Sequence, residues 1–199
     1  MNKIMIKTDA ERLVKERLGN EGSGHDWLHI DRVRKLSIQL AEGTEADEFI
    51  VELAALLHDL PDRKLADDRR MSRLEVETML TSLSVGDDER TQIMHIIDTI
   101  SFKGTGRTIP ETIEGKIVQD ADRLDAIGAI GIARTFIYAG SKGTPVYEPD
   151  GSDSAIQHFY DKLLKLKGLM NTDAGRKKAE ERHRFMEVYL ETFFKEWDR

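Results

Sequence analysis

The sequence predicts an all-α protein that forms a single helical domain. Apolar residues recur at the i, i+3, i+4, i+7 spacing of a buried helix face through most of the 199 residues. No segment alternates apolar and polar side chains over several residues, as a half-buried strand would. Only four prolines occur, so little interrupts long helices. Together these three observations favour helices packed on helices over a fold that contains a sheet.

Five apolar stripes define the predicted helices, at 30–40, 49–60, 93–100, 113–128 and 179–197. A further helix precedes a glycine-containing break at 19–24, and Pro61 ends the third helix because the residue before a proline disfavours the α conformation. Residues 104–110 form a predicted loop. The segment 140–151 is the longest predicted irregular stretch, and loops of this length are often functional. Without a linker, the chain is predicted to be one domain, 1–199, with a metal-binding core at about 20–140 and a C-terminal helical part at about 152–199.

Charge and composition narrow the classes of function. The net charge is −7 at pH 7 and the pI is near 5.4. Proteins that follow nucleic-acid backbones present a basic face, so bulk nucleic-acid binding is not expected. The lack of cysteine excludes disulfides, thiolate metal sites and cysteine nucleophiles. No apolar run approaches the roughly 20 residues that span a bilayer. We therefore expect a cytoplasmic protein without a membrane partner.

Two histidines stand where a metal ion could bind. His58 and Asp59 are adjacent at the end of the third predicted helix, and a helix C-terminus favours a bound cation. His29 lies on or beside the buried face of the second helix. Each feature also has a plainer interpretation, because a His-Asp pair occurs by chance in many proteins and a buried histidine is usually a hydrogen-bonded core residue.

Three aspartates, Asp120, Asp122 and Asp125, lie within six residues of an otherwise apolar helix. Carboxylates beside a buried stripe need a partner, because an unpaired buried charge is very costly. A solvated acidic helix face with intrahelical ion pairs is the alternative. Combined with the histidines, these carboxylates suit one divalent transition metal (Mn, Fe, Co, Ni or Zn, with Mg as an activator) rather than a Ca²⁺ cage.

Three motifs follow one another along the chain: Gly-His-Asp-Trp-Leu-His-Ile-Asp-Arg-Val at 24–33, Leu-Leu-His-Asp-Leu-Pro-Asp-Arg-Lys at 56–64 and Asp-Ala-Asp-Arg-Leu-Asp at 120–125. Their order resembles the signature of the HD superfamily of metal-dependent phosphohydrolases. The context, including residues 100–104, 140–143, 158–172 and 181–183, is similar to small stand-alone bacterial HD hydrolases, some of which act on nucleoside triphosphates. The resemblance covers about residue 20 to the C-terminus and implies a helical fold with phosphohydrolase chemistry.

The resemblance implies a metal held by His29, His58, Asp59 and Asp122. The Ala-Asp-Arg-Leu context favours Asp122 over Asp120 as the last ligand. Two-metal HD enzymes carry further histidines between the His-Asp pair and the last aspartate. Only His95 lies in that interval here, so a single metal is expected. Four protein ligands on an octahedral ion would leave two positions for water and substrate.

Further residues are assigned supporting roles. Asp62 is the catalytic candidate, as a general base or a hydrogen-bonding partner of the nucleophilic water, although it could be a simple turn residue. Lys64 and Lys103 are the predicted phosphate ligands, because a polyphosphate needs fixed positive charge. Weaker substrate-binding candidates are Arg32 and Lys142. Four residues are expected to contact the metal ligands without binding the metal themselves: Asp26, which could also cap the second helix, Asp120, Asp125 and His95.

The favoured function is hydrolysis of a small phosphorylated molecule by metal-activated water, and the favoured substrate is a nucleoside triphosphate that releases pyrophosphate. The alternatives are a phosphodiesterase or phosphomonoesterase for another metabolite and a nucleotide-sensing regulatory HD module without turnover. Loss of a ligand usually marks such a module, and all four ligands are present here. A helical scaffold would leave the histidine and aspartate cluster unexplained. The expected partner is the small substrate, and a homodimer is compatible with the sequence.

Overall fold

The computed structural model describes residues 2–19, 26–62, 65, 69–100 and 108–197, and every regular element within these ranges is a helix. The all-α prediction is therefore confirmed. The helices are α1 (Lys3–Leu18), α2 (Trp27–Ala41), α3 (Glu48–Leu57), α4 (Arg73–Ser82), α5 (Asp87–Ile100), α6 (Ile113–Asp125), α7 (Gly128–Lys142), α8 (Ala155–Asp161), a 3₁₀ helix (Leu163–Leu169) and α9 (Asp173–Trp197). Among the helices described, none is long and apolar enough to cross a bilayer.

The chain divides into two compact units, Met1–Ala121 and Asp122–Arg199. In the first unit, α3 packs against α1, α2 and α5, and α4 packs against α5. Every residue of α3 from Phe49 to Leu57 is buried, as expected for a helix surrounded by neighbours. The helix that leads into the His-Asp pair is therefore the centre of this unit. A single domain over 1–199 stays a prediction.

The second unit is built around α9, which packs against α7 and the 3₁₀ helix. Its core contains an aromatic group in which Phe159 stacks on Tyr189 with ring centroids 5.9 Å apart. Phe136 of α7 lies 6.2 Å from each of these two rings. Offset and edge-on contacts of this kind are preferred because they match the quadrupoles of the rings. They join α7, α8 and α9 at one place.

The sequence pattern places Gly128 on one helix that runs from 113 to 128, and this prediction is wrong. α6 ends at Asp125, and α7 begins at Gly128. Gly128 has a φ of 77°, in the left-handed region that glycine adopts without steric cost. The apolar stripe continues through the break, so periodicity alone does not reveal it.

The segment expected to be irregular from 140 onward starts later than predicted. α7 continues to Lys142, and Gly143 ends it in the left-handed conformation, with its N–H directed at the carbonyls of Ala139 and Gly140. Tyr147, beyond the helix, packs edge-on against Phe194 and Trp197 of α9, with ring centroids 5.3 and 5.2 Å apart. The middle of this segment is therefore fixed to the C-terminal end of α9.

Candidate metal centre

Three side chains of the first unit converge in a buried cluster. His29, His58 and Asp59 are 0%, 5% and 7% exposed, and their ligand atoms lie within 4.8 Å of one another. Asp59 Oδ2 is 3.2 Å from His29 Nε2, and Asp59 Oδ1 is 3.4 Å from His58 Nε2. Two imidazole nitrogens and a carboxylate are a donor set that divalent transition metals prefer. The cluster thus fits a metal ion on chemical grounds.

The N-cap of α2 positions His29. Asp26 precedes the helix and accepts the backbone N–H of His29 at 2.8 Å through Oδ1. Such a cap satisfies one of the N–H groups that a first helical turn leaves without a partner. Asp26 therefore acts on the backbone of His29 and fixes the turn from which the imidazole projects.

The end of α3 positions the His-Asp pair. α3 ends at Leu57, slightly before the expected end at Pro61, and His58 is its C-cap. His58 Nδ1 lies 2.8 Å from the carbonyl oxygen of Ala55. A ring nitrogen that faces a carbonyl carries a proton, so Nδ1–H donates, and in the neutral imidazole Nε2 then has the lone pair. Nε2 is the atom that faces Asp59, so this tautomer is the one that a metal ligand requires.

An ion-pair network around the buried Glu52 connects α1 and α2 to α3. Glu52 of α3 accepts from Arg34 of α2 at 3.0 Å and from Lys7 of α1 at 2.7 Å. Arg34 also pairs with Glu11 and Asp31. Burial lowers the pKa of Arg34, but the hydrogen bond to Asp31 and the charges of Glu11 and Glu52 leave it above its ordinary value. Sequence reasoning missed this network, although one acid in the middle of an apolar helix indicates a buried partner.

The three aspartates of α6 have different surroundings. Asp120 is fully buried in the first unit. Asp125 is buried in the second unit and forms an ion pair with Arg134. Asp122 is half-buried in the last turn of α6 and begins the second unit. Because the other three candidate ligands belong to the first unit, the role of Asp122 as the fourth ligand stays a prediction.

Three of the remaining candidates lie on elements of the first unit. Asp62 follows the His-Asp pair in the same turn, is half-buried, and donates its backbone N–H to the carbonyl of Asp59 at 2.9 Å. Arg32 lies on α2, three residues after His29, and is also half-buried. His95 is exposed on α5. Their predicted roles near the metal stay predictions.

The three lysines predicted to bind substrate are described to different extents. Lys64 and Lys103 lie outside the described residues. Lys142 is exposed at the end of α7, with its Nζ 5.7 Å from the centroid of the Tyr138 ring. A cation over an aromatic face is weakly attracted to it, and an exposed pair of this kind leaves the ammonium accessible to water.

The chain is similar to proteins of one family over most of its length. A family model described as the HD domain matches residues 27–127. YpgQ of Bacillus subtilis (strain 168) is 51% identical over 175 residues, which cover 87% of this chain and 84% of that protein. The crystal structure of B. subtilis YpgQ in complex with ADP matches with a TM-score of 0.88 and 46% identity, over 98% of this chain and 97% of the other. An HD-superfamily hydrolase from Bacillus thuringiensis matches with a TM-score of 0.82 and 45% identity, over 99% of both chains.

Proposed function

We propose that this chain, which belongs to the HD domain family and is a metal-dependent hydrolase, hydrolyses a phosphoanhydride bond of a nucleotide. The observation that carries the proposal is the convergence of His29, His58 and Asp59, whose ligand atoms lie within 4.8 Å of one another in a buried position. Release of pyrophosphate from a nucleoside triphosphate is the favoured reaction. We place the reaction in the cytoplasm, where such substrates are available.

The cofactor in this proposal is one divalent metal, and manganese is our first choice. His29, His58 and Asp59 would hold it, with Asp122 as the proposed fourth ligand. When bound, such an ion makes water nucleophilic near neutral pH and offsets negative charge at the phosphorus. The chain supports this chemistry through the Ala55 carbonyl, which fixes the tautomer of His58. Asp62 is the proposed acceptor of a proton from the attacking water.

The choice of a nucleotide rests on charge and on a relative. The chain is acidic overall, with a net charge of −7, so a polyanionic substrate needs local positive charge. We assign this charge to the metal, Lys64 and Lys103, with Arg32 and Lys142 as further contacts. The crystal structure of YpgQ contains ADP, which supports a nucleotide as the ligand class for this chain.

A screen of the metal-free protein tests the proposal. Nucleoside triphosphates and simple phosphomonoesters would be supplied with Mn²⁺, Co²⁺, Ni²⁺ or Mg²⁺ in turn, and phosphate and pyrophosphate would be measured separately. Pyrophosphate from a triphosphate is the expected product. Hydrolysis of monoesters without any attack on nucleotides would contradict the substrate class, and release of phosphate alone would contradict the favoured scissile bond.

Substitution of the two predicted phosphate-binding lysines gives a separate test. Lys64→Ala and Lys103→Ala should each lower kcat/KM for the best nucleotide about 10- to 150-fold, because each removes a charge-assisted hydrogen bond worth roughly 1.5–3 kcal/mol. Both variants should keep their metal. Lys177→Ala, at an exposed lysine of α9, is the matched control. Wild-type kinetics in both lysine variants would refute this phosphate site.

A further inference from the structure

An arginine of α9 covers the carbonyl end of the helix that carries Asp122. The carbonyls of a last helical turn lack intrahelical partners and form the negative end of the helix dipole. Arg182 donates from Nη1 to the carbonyl oxygen of Leu124, two residues after Asp122. The same oxygen accepts the backbone N–H of Ile127 at 3.2 Å. The guanidinium group therefore supplies both a hydrogen bond and a positive charge at this end.

The chain leaves room for the stem of Arg182 at Gly128. A Cβ atom at Gly128 would lie 3.0 Å from Cγ and 3.1 Å from Cβ of Arg182, closer than side chains normally approach. The φ of 77° at Gly128 also disfavours any residue with a side chain. The Arg182 side chain thus packs against Gly128, and a larger residue at position 128 would displace it.

The turn that carries Asp122 ends in a shared backbone hydrogen bond. The N–H of Ala126 is shared between the carbonyls of Asp122 and Arg123, at 3.3 and 3.2 Å. Three-centre bonds of this kind are common at helix ends. Contacts from outside the helix add to this closure.

Two further arginines hold the same turn from other directions. Arg123 donates to the carbonyl of Leu169, just before α9, at 2.5 Å, and Arg134 of α7 pairs with Asp125. Arg123 and Asp125 are both buried. With Arg182, these contacts join the end of α6 to α7, to the 3₁₀ helix and to α9 within the second unit.

We propose that Arg182 is a positioning residue for Asp122. By capping the carbonyl of Leu124 it fixes the last turn of α6, and with it the direction in which the Asp122 carboxylate points. A ligand held in place binds a metal more tightly than one that must first be ordered. The inference rests on the proposed function, in which Asp122 is the fourth ligand. It also gives a role to one residue of the 181–183 segment, which is similar to small bacterial HD hydrolases.

The affinity of the metal-free protein for Mn²⁺, measured by competition with a chelating dye, tests the proposal. Arg182→Met should weaken this affinity about tenfold, the lower end of the effect of groups that orient metal ligands. Arg182→Lys keeps the charge but loses the planar fork, so it should restore part of the affinity. Arg176→Met is the matched control, because Arg176 lies on the same helix and donates to the carbonyls of Met170 and Asn171 instead.

The same measurement in an Asp122→Asn background separates positioning from a general loss of structure. If Arg182 acts through Asp122, Arg182→Met should have no further effect there. An equal loss in both backgrounds would overturn the proposal, as would wild-type affinity in Arg182→Met while Asp122→Asn is impaired. Wild-type affinity in Asp122→Asn would instead refute the ligand assignment and this proposal with it. Circular dichroism checks folding, and if Arg182→Met does not fold, Arg182→Lys takes its place in the cycle.

Discussion

Replacing His58 or Asp59 by alanine should abolish nucleotide hydrolysis and metal binding together. Asp59 faces both imidazoles of the buried cluster, so loss of either residue removes a ligand and disturbs the other two. A metal contributes several kcal/mol of transition-state stabilisation, which corresponds to a loss of about 10³-fold or more in kcat. Steady-state hydrolysis at saturating Mn²⁺, together with the metal content of the purified variants, measures this effect.

An exposed aspartate provides the control for these variants. Asp88→Ala, in the first turn of α5, should keep wild-type turnover and metal content. Excess chelator should inactivate the wild type and the control alike. Full turnover in either His58→Ala or Asp59→Ala, or turnover of the wild type in chelator, would rule out metal-dependent hydrolysis at this site.

Glu52→Ala should destabilise the first unit by about 1.5–3 kcal/mol, because it removes a buried carboxylate that accepts charge-assisted hydrogen bonds from Arg34 and Lys7. Arg34 and Lys7 are 17% and 31% exposed, and Arg34 keeps its contacts with Asp31 and Glu11, so the loss should stay below that of an unpaired buried charge. Denaturant unfolding of the metal-free protein measures the change, and Glu52→Gln, which keeps the shape of the side chain, should cost less.

The partly exposed acid on the same arginine is the control for this prediction. The Glu11 side chain is 37% exposed and that of Glu52 is 9% exposed, although both lie near the Arg34 guanidinium. Exposed ion pairs contribute at most about 1 kcal/mol, so Glu11→Ala should change the free energy of unfolding by no more than that. Equal losses of unfolding free energy in the two variants would show that the burial of Glu52 does not increase its contribution to stability.

Helical periodicity made much of the first unit predictable. His29 lies beside the apolar stripe of α2, and His58 follows directly after the mostly apolar α3, so both were expected near a core. Side chains at such positions on adjacent, packed helices can meet. The pairing of Arg34 with Glu52 was not predictable in the same way, because periodicity does not specify which charged residues face each other across two helices.

The sequence pattern did not predict the break after α6 or the short helix α4, and each omission has a physical reason. The end of α6 was missed because the stripe continues in phase from Leu124 to Gly128, and only the positive φ of Gly128 marks the turn. α4 buries only Val76 and Leu80, too few residues for a clear stripe. A signal was present nonetheless, since Ser72 and Glu75 form a reciprocal capping box, which typically begins a helix. Arg182 donates to the backbone carbonyl of Leu124, and a sequence does not indicate which carbonyl a distant side chain will reach.

The number of metal ions bound per chain tests the central claim most directly. Titration of the metal-free wild type with Mn²⁺ in a calorimeter should give one ion per chain, and the same titration of His58→Ala should show no specific binding. A chain that binds no divalent metal, or a His58→Ala variant that binds one ion with wild-type affinity, would contradict the assignment of His29, His58 and Asp59 as a metal centre.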